Sequence, residues 1–163
     1  MPEIDRIIPP ALQGVYDSWH FAPATIANGL IFCSGIIGTS PGGDTPDFNR
    51  QSGLSGAEAA TASAESGLED LQAVRDPEGQ FATAFEALRA ILRAAGADLC
   101  DLVEITTYHL DMARHMEAFV RVKDRYLIAP YPAWTAIGVA ELIVPGGLLE
   151  IRAVARHPDG QAT

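Results

Sequence analysis

The sequence LRAILRAAGADLCDLVEITTYHLDM, residues 88–112, contains the sharpest change of hydrophobic periodicity in the chain. Before Gly96, apolar residues recur at helical spacing, at Phe81, Phe85, Leu88, Leu92 and Ala95. A glycine directly after such a pattern is typical of a helix C-terminus. From Leu102 to Leu110, β-branched residues alternate with other side chains, which is typical of a strand. The stretch therefore predicts a helix that ends near Gly96 and is followed by a strand.

Two main helices are predicted. The first begins at Asp76 and Pro77, an N-cap residue followed by proline at the first helical position. The second follows the strand and ends before Pro130 and Pro132, and one of its faces is marked by Met116, Phe119, Val120, Lys123 and Leu127. Residues 52–75 are rich in Ala, Ser and Glu and have little apolar surface to bury. We expect a solvated helix or surface loop there, or a lid that narrows a cleft.

The remaining strands lie at the two ends of this arrangement. ATIANGLIFCSG, residues 24–35, predicts a hairpin with a type I′ turn at Asn28-Gly29. Trp134 to Leu142 and Leu148 to Ala155 predict the last two strands. The order β-β-α-β-α-β-β indicates an α+β fold, with residues 1–163 in a single domain. Two helices can cover only one face of the sheet, so we expect a second subunit to cover the other, which is also largely apolar.

The charge of the chain argues against one class of partner. There are 21 acidic and 11 basic residues, the net charge is −10, and Lys123 is the only lysine. Clustered Lys and Arg supply most nucleic-acid affinity, so no nucleic-acid partner is expected. No apolar run approaches the roughly 20 residues that cross a bilayer, and MPEIDRIIPP does not resemble a signal peptide. We therefore expect a cytoplasmic protein without a membrane partner, with Cys33 and Cys100 as free thiols.

Four segments, in the same order, resemble the Rid family of reactive-intermediate deaminases, also called YjgF or endoribonuclease L-PSP proteins. They are GLIFCSGIIG at 29–38, the stretch 88–112, YPAWT at 131–135 and LLEIRAVA at 148–155. YPAWTAIGV and YHLDM are most similar to the YjgH-like subgroup. The resemblance leaves out the segment rich in Ala, Ser and Glu, and it implies that residues 52–75 are an insertion relative to the family. The resemblance implies a chorismate-mutase-like α+β fold, a mixed sheet with two main helices on one face, assembled as a homotrimer with clefts between subunits. It also implies hydrolysis of enamines and imines to ammonia and a keto acid, with no metal and no organic cofactor.

The family pattern can be transferred to individual residues of this sequence. Ser34 and Gly35 match the Ser-Gly that lines the family cleft. Glu150 matches the Glu that holds the attacking water, and Phe21 falls where a Tyr often stands. Trp134 falls where catalytic members have an arginine that pairs with the substrate carboxylate. A guanidinium donates two charge-assisted hydrogen bonds, whereas an indole offers one neutral N–H and a π-face, so we expect a small-molecule ligand with an aromatic, apolar or cationic part.

Each candidate residue also has a structural explanation. Trp134 could fill a gap at the mouth of its strand. Glu150 could pair with Arg152 on the same strand face, or it could orient and deprotonate water, helped by a pKa raised by burial. Arg152 could alternatively supply the missing positive charge to a substrate. His109 could form a local hydrogen bond or transfer a proton, and no histidine has a metal-binding spacing with its neighbours.

Two main hypotheses for function follow. The first is a cofactor-independent hydrolase of a reactive enamine or imine, a deaminase-type reaction on a non-standard substrate that lacks a carboxylate anchor. The second is a non-catalytic protein of the same family that binds or senses a small molecule. A third hypothesis, ribonuclease activity as one family name suggests, conflicts with the charge balance.

Overall fold

The structure of the protein is a computed structural model, which describes residues 3–62 and 71–160 and, apart from residues 59–62, their side chains. The strands in these ranges are β1 (Asp5–Ile7), β2 (Ala24–Ala27), β3 (Leu30–Ile36), β4 (Leu102–His109), β5 (Ala133–Gly138) and β6 (Leu149–Arg156). The α-helices are α1 (Gln13–Trp19), α2 (Ser55–Ala62), α3 (Pro77–Ala94) and α4 (Met112–Tyr126). Short 3₁₀ turns precede α1 and β4.

The strands form one mixed sheet in the order β1-β2-β3-β6-β4-β5. Neighbouring strands are antiparallel, except that β4 and β5 are parallel and are connected through α4. A parallel pair needs such a crossover because a tight turn cannot join its strands. The predicted α+β fold with a mixed sheet is therefore confirmed, and β6, the last strand in sequence, lies between β3 and β4.

The β2–β3 hairpin turns at the predicted position. Asn28 has a φ of 49° and Gly29 a φ of 74°, the pair of positive angles that a type I′ turn requires. This turn fixes the register and therefore the face on which each side chain of β3 lies. Ile31 and Cys33 are buried on the helix-covered face, whereas Phe32 is exposed on the opposite face.

Helix α3 confirms the most strongly periodic pattern in the sequence. The carboxylate of Asp76 accepts a hydrogen bond from the Gly79 N–H at 2.7 Å, and Pro77 is the first helical residue. The helix ends at Ala94, and Gly96 follows with a positive φ of 78°. Its apolar side is fully covered, with Phe81, Phe85, Leu88 and Leu92 at 0% exposure.

Helices α3 and α4 cover one face of the sheet through a cluster of aromatic rings. The ring centroid of Phe119 on α4 lies 5.8 Å from that of Phe81 and 6.2 Å from that of Phe85. Below these rings, alternate residues of β6 are buried, namely Leu149, Ile151, Ala153 and Ala155. Because side chains alternate along a strand, these four residues share the helix-covered face.

The opposite face of the sheet carries a mixture of polar and exposed apolar side chains. Glu150 and Arg152 of β6 lie there, beside Phe32 of β3 and in line with Ile137 of β5. All six residues of the edge strand β5 are exposed. An exposed apolar edge strand is normally covered by another chain, so contact with a second subunit stays a prediction for this region.

The structure differs from the predictions in two respects. β1 and α1 precede the hairpin, where no element is predicted, because they contain only 3 and 7 residues and lack a clear apolar pattern. β5 ends at Gly138 rather than at Leu142. Val139 still donates its N–H to the His109 carbonyl, and the chain then leaves the sheet although the sequence remains apolar.

The first part of the predicted insertion is buried, so the solvated alternative is wrong there. Leu54 and Ala57 both belong to the hydrophobic core. A Cβ at Gly53 would lie 2.8 Å from the Cβ of Glu86, so the absence of a side chain allows this segment to pack directly on α3. Residues 63–70 of the insertion lie outside the described residues, and the lid hypothesis stays untested.

Replacing Asp76 with alanine is expected to lower the free energy of unfolding by about 1 kcal/mol, because the Gly79 N–H loses its acceptor. Urea unfolding would measure the change. Asp76→Asn is the matched control, since asparagine also caps helices well and should retain most of the stability. Equal losses in the two variants would contradict the capping role.

Candidate functional site

A cavity of about 700 Å³ opens between the N-terminal helices, the β2–β3 hairpin and β6. Its lining includes all but one of the predicted site residues, namely Phe21, Ser34, Gly35, Glu150 and Arg152. The pairing of β3 with β6 is irregular between Cys33 and Ile36, which places an interruption of the ladder at Ser34-Gly35. Such irregularities are common next to sites because they redirect side chains.

The carboxyl group of Glu150 lies directly against the backbone of Gly35. A Cβ built on Gly35 would lie 2.7 Å from Glu150 Cδ and closer still to Oε1. No side chain at position 35 could therefore coexist with Glu150 in this conformation. The glycine is needed for close approach, and the contact explains why these two residues occur together in one cavity.

Glu150 is half-buried and has no hydrogen bond or ion pair with any group in residues 3–62 and 71–160. Removal from water raises the pKa of its carboxyl above the ordinary value. The predicted pair with Arg152 is not formed, because the Arg152 guanidinium lies 3.6 Å from the carboxylate of Glu104 on the neighbouring strand. A carboxyl without a protein partner is available to hydrogen-bond water or a ligand.

Ser34 connects the cavity to the loop that carries Phe21. Its hydroxyl donates to the Ala22 carbonyl at 2.6 Å, and its backbone N–H donates to the Pro23 carbonyl at 2.9 Å. These bonds hold the chain beside Phe21 against the strand. Ser34 therefore positions a cavity wall, and its hydroxyl oxygen still has a lone pair with which to accept a hydrogen bond from a ligand.

Trp134 does not line this cavity in the single chain. It pairs with Ile105 across the β4–β5 ladder, so it lies on the helix-covered face, whereas Glu150 lies on the opposite face. The indole N–H donates to Thr107 Oγ1 at 2.8 Å, and the ring centroid lies 5.8 Å from that of Phe119. The tryptophan thus contributes to packing under α4, and only its exposed part is available to another molecule.

Trp134 borders a second, smaller cavity of about 330 Å³. Its walls are formed by Lys123, Asp124, Leu127, Tyr131, Pro132 and Trp134. The Lys123 ammonium lies 5.1 Å from the centroid of the indole ring, within the range of a cation–π contact. It also lies within salt-bridge distance of the Asp124 carboxylate, so this positive charge is already partnered.

His109 forms the local hydrogen bond that was one of its two predicted roles. Its Nε2 lies 2.8 Å from Thr107 Oγ1, and its ring stands edge-on to Phe119 at a centroid distance of 4.8 Å. Burial lowers the pKa of His109 to about 4, so the ring is neutral at pH 7. Since the indole can only donate, Thr107 accepts from Trp134 and has its own proton available for His109.

The remaining candidates for chemistry in the described ranges are weak. Cys33 lines the large cavity, but burial raises the pKa of its thiol to about 12, so it is not a thiolate at neutral pH. Within residues 3–62 and 71–160, no three His, Cys, Asp or Glu side chains are close enough to hold a metal ion.

None of the described helices combines the length and apolarity needed to cross a membrane.

Sequence reasoning did not identify the apolar walls of the large cavity. These are formed by Val15 and Trp19 of α1, Leu54 and Ala57 at the start of α2, and Ala87 and Ile91 of α3. Spacing within α1 and α2 gives little signal because both helices are short and partly polar. Only the tertiary arrangement brings them together around the candidate site.

The fold and the cavity identify the class of protein. The profile of the endoribonuclease L-PSP family matches residues 15–157, and the chain belongs to that family. It is similar to the RutC family protein YjgH of Escherichia coli strain K12, with 29% identity over 161 residues, which are 98% of this chain and 99% of that protein. The predicted likeness to the YjgH-like subgroup is therefore confirmed.

Solved structures show the same fold. The structure of protein YjgH matches with a TM-score of 0.70 and 26% identity, over 96% of this chain and 98% of that chain. Rv2704 from Mycobacterium tuberculosis, a member of the YjgF/YER057c/UK114 family, matches with a TM-score of 0.66 and 20% identity, over 94% and 99% of the two chains. RidA from an Antarctic Psychrobacter matches with a TM-score of 0.59 and 24% identity, over 83% and 87%.

Replacing Glu150 with glutamine is expected to stabilise the protein at pH 7. Because burial raises the pKa of Glu150 in the folded state, the folded protein retains this proton to higher pH than the unfolded chain. The wild type therefore loses stability as the pH rises through the raised pKa, and glutamine removes that loss. The gain should vanish well below the ordinary carboxyl pKa of about 4.3, where both states are protonated.

Urea unfolding of Glu150→Gln at pH 7 and at acid pH would measure this change. Glu141→Gln, at an exposed position, is the matched control and should alter the free energy of unfolding by less than about 0.5 kcal/mol. A Glu150→Gln variant less stable than the wild type at pH 7 would show that the carboxylate has a stabilising partner.

The Trp134–Thr107 hydrogen bond is expected to contribute about 1 kcal/mol to stability. A double-mutant cycle of Trp134→Phe and Thr107→Val isolates this term, because the other contacts of each residue cancel. The four free energies of unfolding would be measured by chemical denaturation. Strict additivity of the two single substitutions would mean that the indole N–H is not bound to Thr107 in solution.

Proposed function

We propose that this chain is a cofactor-independent hydrolase of a reactive imine or enamine, and that Glu150 holds and activates the attacking water. The observation that carries the proposal is the unpartnered, half-buried carboxyl of Glu150 in the large cavity, pressed against Gly35. General bases are usually found in such places, since partial burial brings the carboxyl pKa nearer to neutral pH. Membership of a family that includes deaminases supports the same reaction class.

The proposed step is balanced by water alone. The Glu150 carboxylate accepts a proton from water while the water oxygen bonds to the imine carbon. The carboxyl returns this proton to nitrogen, which gives a neutral carbinolamine. Glu150 then accepts the hydroxyl proton and delivers it to nitrogen while the C–N bond breaks, so that ammonia or an amine leaves a carbonyl product. An enamine enters this sequence after it gains a proton at carbon and loses one from nitrogen, which gives the imine.

Position 134 of the protein offers no anchor for a substrate carboxylate. Trp134 has no positive charge, and its N–H is already donated to Thr107. Arg152 is the cationic residue in the cavity lining, and its guanidinium is shared with Glu104. A small imino acid would therefore have to displace an existing ion pair to obtain a charged partner, which favours substrates that have no carboxylate there.

A homotrimer with clefts between subunits forms part of the proposal. The open sheet face and the fully exposed strand β5 are the surfaces that such an assembly would cover. In this arrangement the exposed edge of Trp134 reaches a cavity that belongs to a neighbouring copy rather than its own. A small aromatic or apolar ligand would then contact the indole and Phe21 from two subunits.

The second candidate function is non-catalytic binding or sensing of a small molecule. The observation that favours it concerns Trp134, which stands where the resemblance implies an arginine. This tryptophan is held by packing and by its hydrogen bond to Thr107. Ribonuclease activity, which the family name describes, is disfavoured by a net charge of −10 and a single lysine. Salt-sensitive RNA binding at physiological ionic strength would restore that third candidate.

The hydrolase proposal predicts that imine turnover depends on Glu150. Oxidation of 2-phenylethylamine by an amine oxidase supplies an imine without a carboxylate, and oxidation of alanine by an amino-acid oxidase supplies 2-iminopropanoate. The protein should accelerate ammonia release clearly from the first imine and little from the second. Glu150→Gln should lower the acceleration by about 10²–10⁴-fold, the usual contribution of a general base.

Two outcomes separate the candidates. If the wild type and Glu150→Gln both bind a ligand and the wild type does not accelerate ammonia release, the result supports the binding protein and contradicts the hydrolase. Fast, Glu150-dependent release of ammonia from 2-iminopropanoate contradicts the proposed substrate preference while keeping the reaction class. Glu141→Gln serves again as the control, because it removes an acid of the same kind outside the cavity lining.

A further inference from the structure

We propose that the large cavity contains an apolar chamber that binds the carbon skeleton of the substrate, so that the preferred imine carries a long aliphatic or aromatic group. The apolar chamber is the part of the cavity bounded by Val15, Trp19, Leu54, Ala57, Ala87 and Ile91. This inference rests on the proposed function, since it names the substrate class of the same site. It also predicts ligand binding that does not require turnover.

The walls of the chamber are apolar on all the elements that form them. α1 contributes Val15 and Trp19, and the other walls come from the start of α2 and from α3. The titratable groups of the cavity, Glu150, Arg152 and the protonated thiol of Cys33, come from β6 and β3 instead. The cavity is therefore polar where the reaction is proposed and apolar where the helices enclose it.

The size of the cavity favours more than a small imine. Its volume of about 700 Å³ lies within the range of sites that enclose drug-sized ligands, roughly 300–1,000 Å³. A three-carbon imine would leave most of the helical walls without contact. Each methylene that moves from water into such walls should raise affinity roughly fourfold until the chamber is full.

The backbone at Ser34-Gly35 explains how both parts join in one cavity. Phe32 and Cys33 lie on opposite faces of β3, yet both line the cavity, and the irregular pairing with β6 follows directly after them. The Glu150 carboxyl fills the space that a side chain at Gly35 would occupy, which places it beside this interruption of the ladder. Because Glu150 and the chamber residues line the same cavity, a ligand can place its reactive carbon at Glu150 while its apolar end extends toward the helices.

Primary carboxamides test the chamber without any chemistry, because they carry nitrogen on a planar carbon, as the imine does, and are stable. Isothermal titration calorimetry of butanamide and octanamide should show on the order of a hundredfold tighter binding of octanamide, which has four more methylenes. Ala87→Leu places extra carbon atoms in the chamber and should lower this affinity ratio about tenfold. Val15→Phe, on α1, provides an independent second variant.

Ala113→Leu is the matched control, because Ala113 is exposed on α4 and is not part of the cavity lining. It should leave the octanamide-to-butanamide ratio at the wild-type value. Equal affinity for the two amides in the wild type would overturn the chamber, as would an unchanged ratio in both Ala87→Leu and Val15→Phe. Length-dependent binding without imine turnover would support the chamber and reject the hydrolase, whereas turnover that ignores chain length would do the reverse.

Discussion

Strand β6 imposes the constraint on which the rest of the molecule depends. It pairs with β3 on one side and β4 on the other, so its alternation is fixed by two ladders at once. Leu149 and Ile151 enter the core under α3 and α4, and Glu150 between them must therefore point to the opposite face. A one-residue slip would bury a carboxylate in the aromatic cluster, which makes this register strongly specified.

Glu150 lies at a site that disfavours its charge. Glu150 has no partner in the described part of the chain, and burial raises its pKa. A neutral residue of similar shape would be the better choice for stability alone. An unpaired carboxyl beside a backbone cradle at Gly35 is the kind of arrangement that function maintains against stability.

Regular local patterns were sufficient to predict most of the framework. α3 has a capping aspartate, a proline and an unbroken apolar stripe, and the Asn28-Gly29 turn needs no tertiary context. The packing of the segment around Gly53 could not be predicted, because a small residue that contacts α3 looks in sequence like any flexible glycine. Composition reports how much apolar surface a segment has, and it does not report close backbone contacts.

Five of the six candidate site residues line one cavity, although their mutual geometry could not be predicted from the sequence. Glu150 and Arg152 are neighbours on one strand face, and the sequence suggests that they pair. In the structure Arg152 pairs with Glu104, because β4 lies beside β6 and provides a competing carboxylate. Likewise, Trp134 lies on the face away from Glu150, a consequence of the parallel β4–β5 register that no local spacing contains.

Two independent features of the molecule favour the same kind of ligand. The position at which the family resemblance implies an arginine holds a neutral indole whose N–H is bound to Thr107, so an anionic group gains nothing there. The cavity beside Glu150 is extended by apolar helical walls, so a carbon skeleton gains affinity through burial. Because these features lie on different elements, neither follows from the other. Their agreement supports the proposed preference for an apolar ligand.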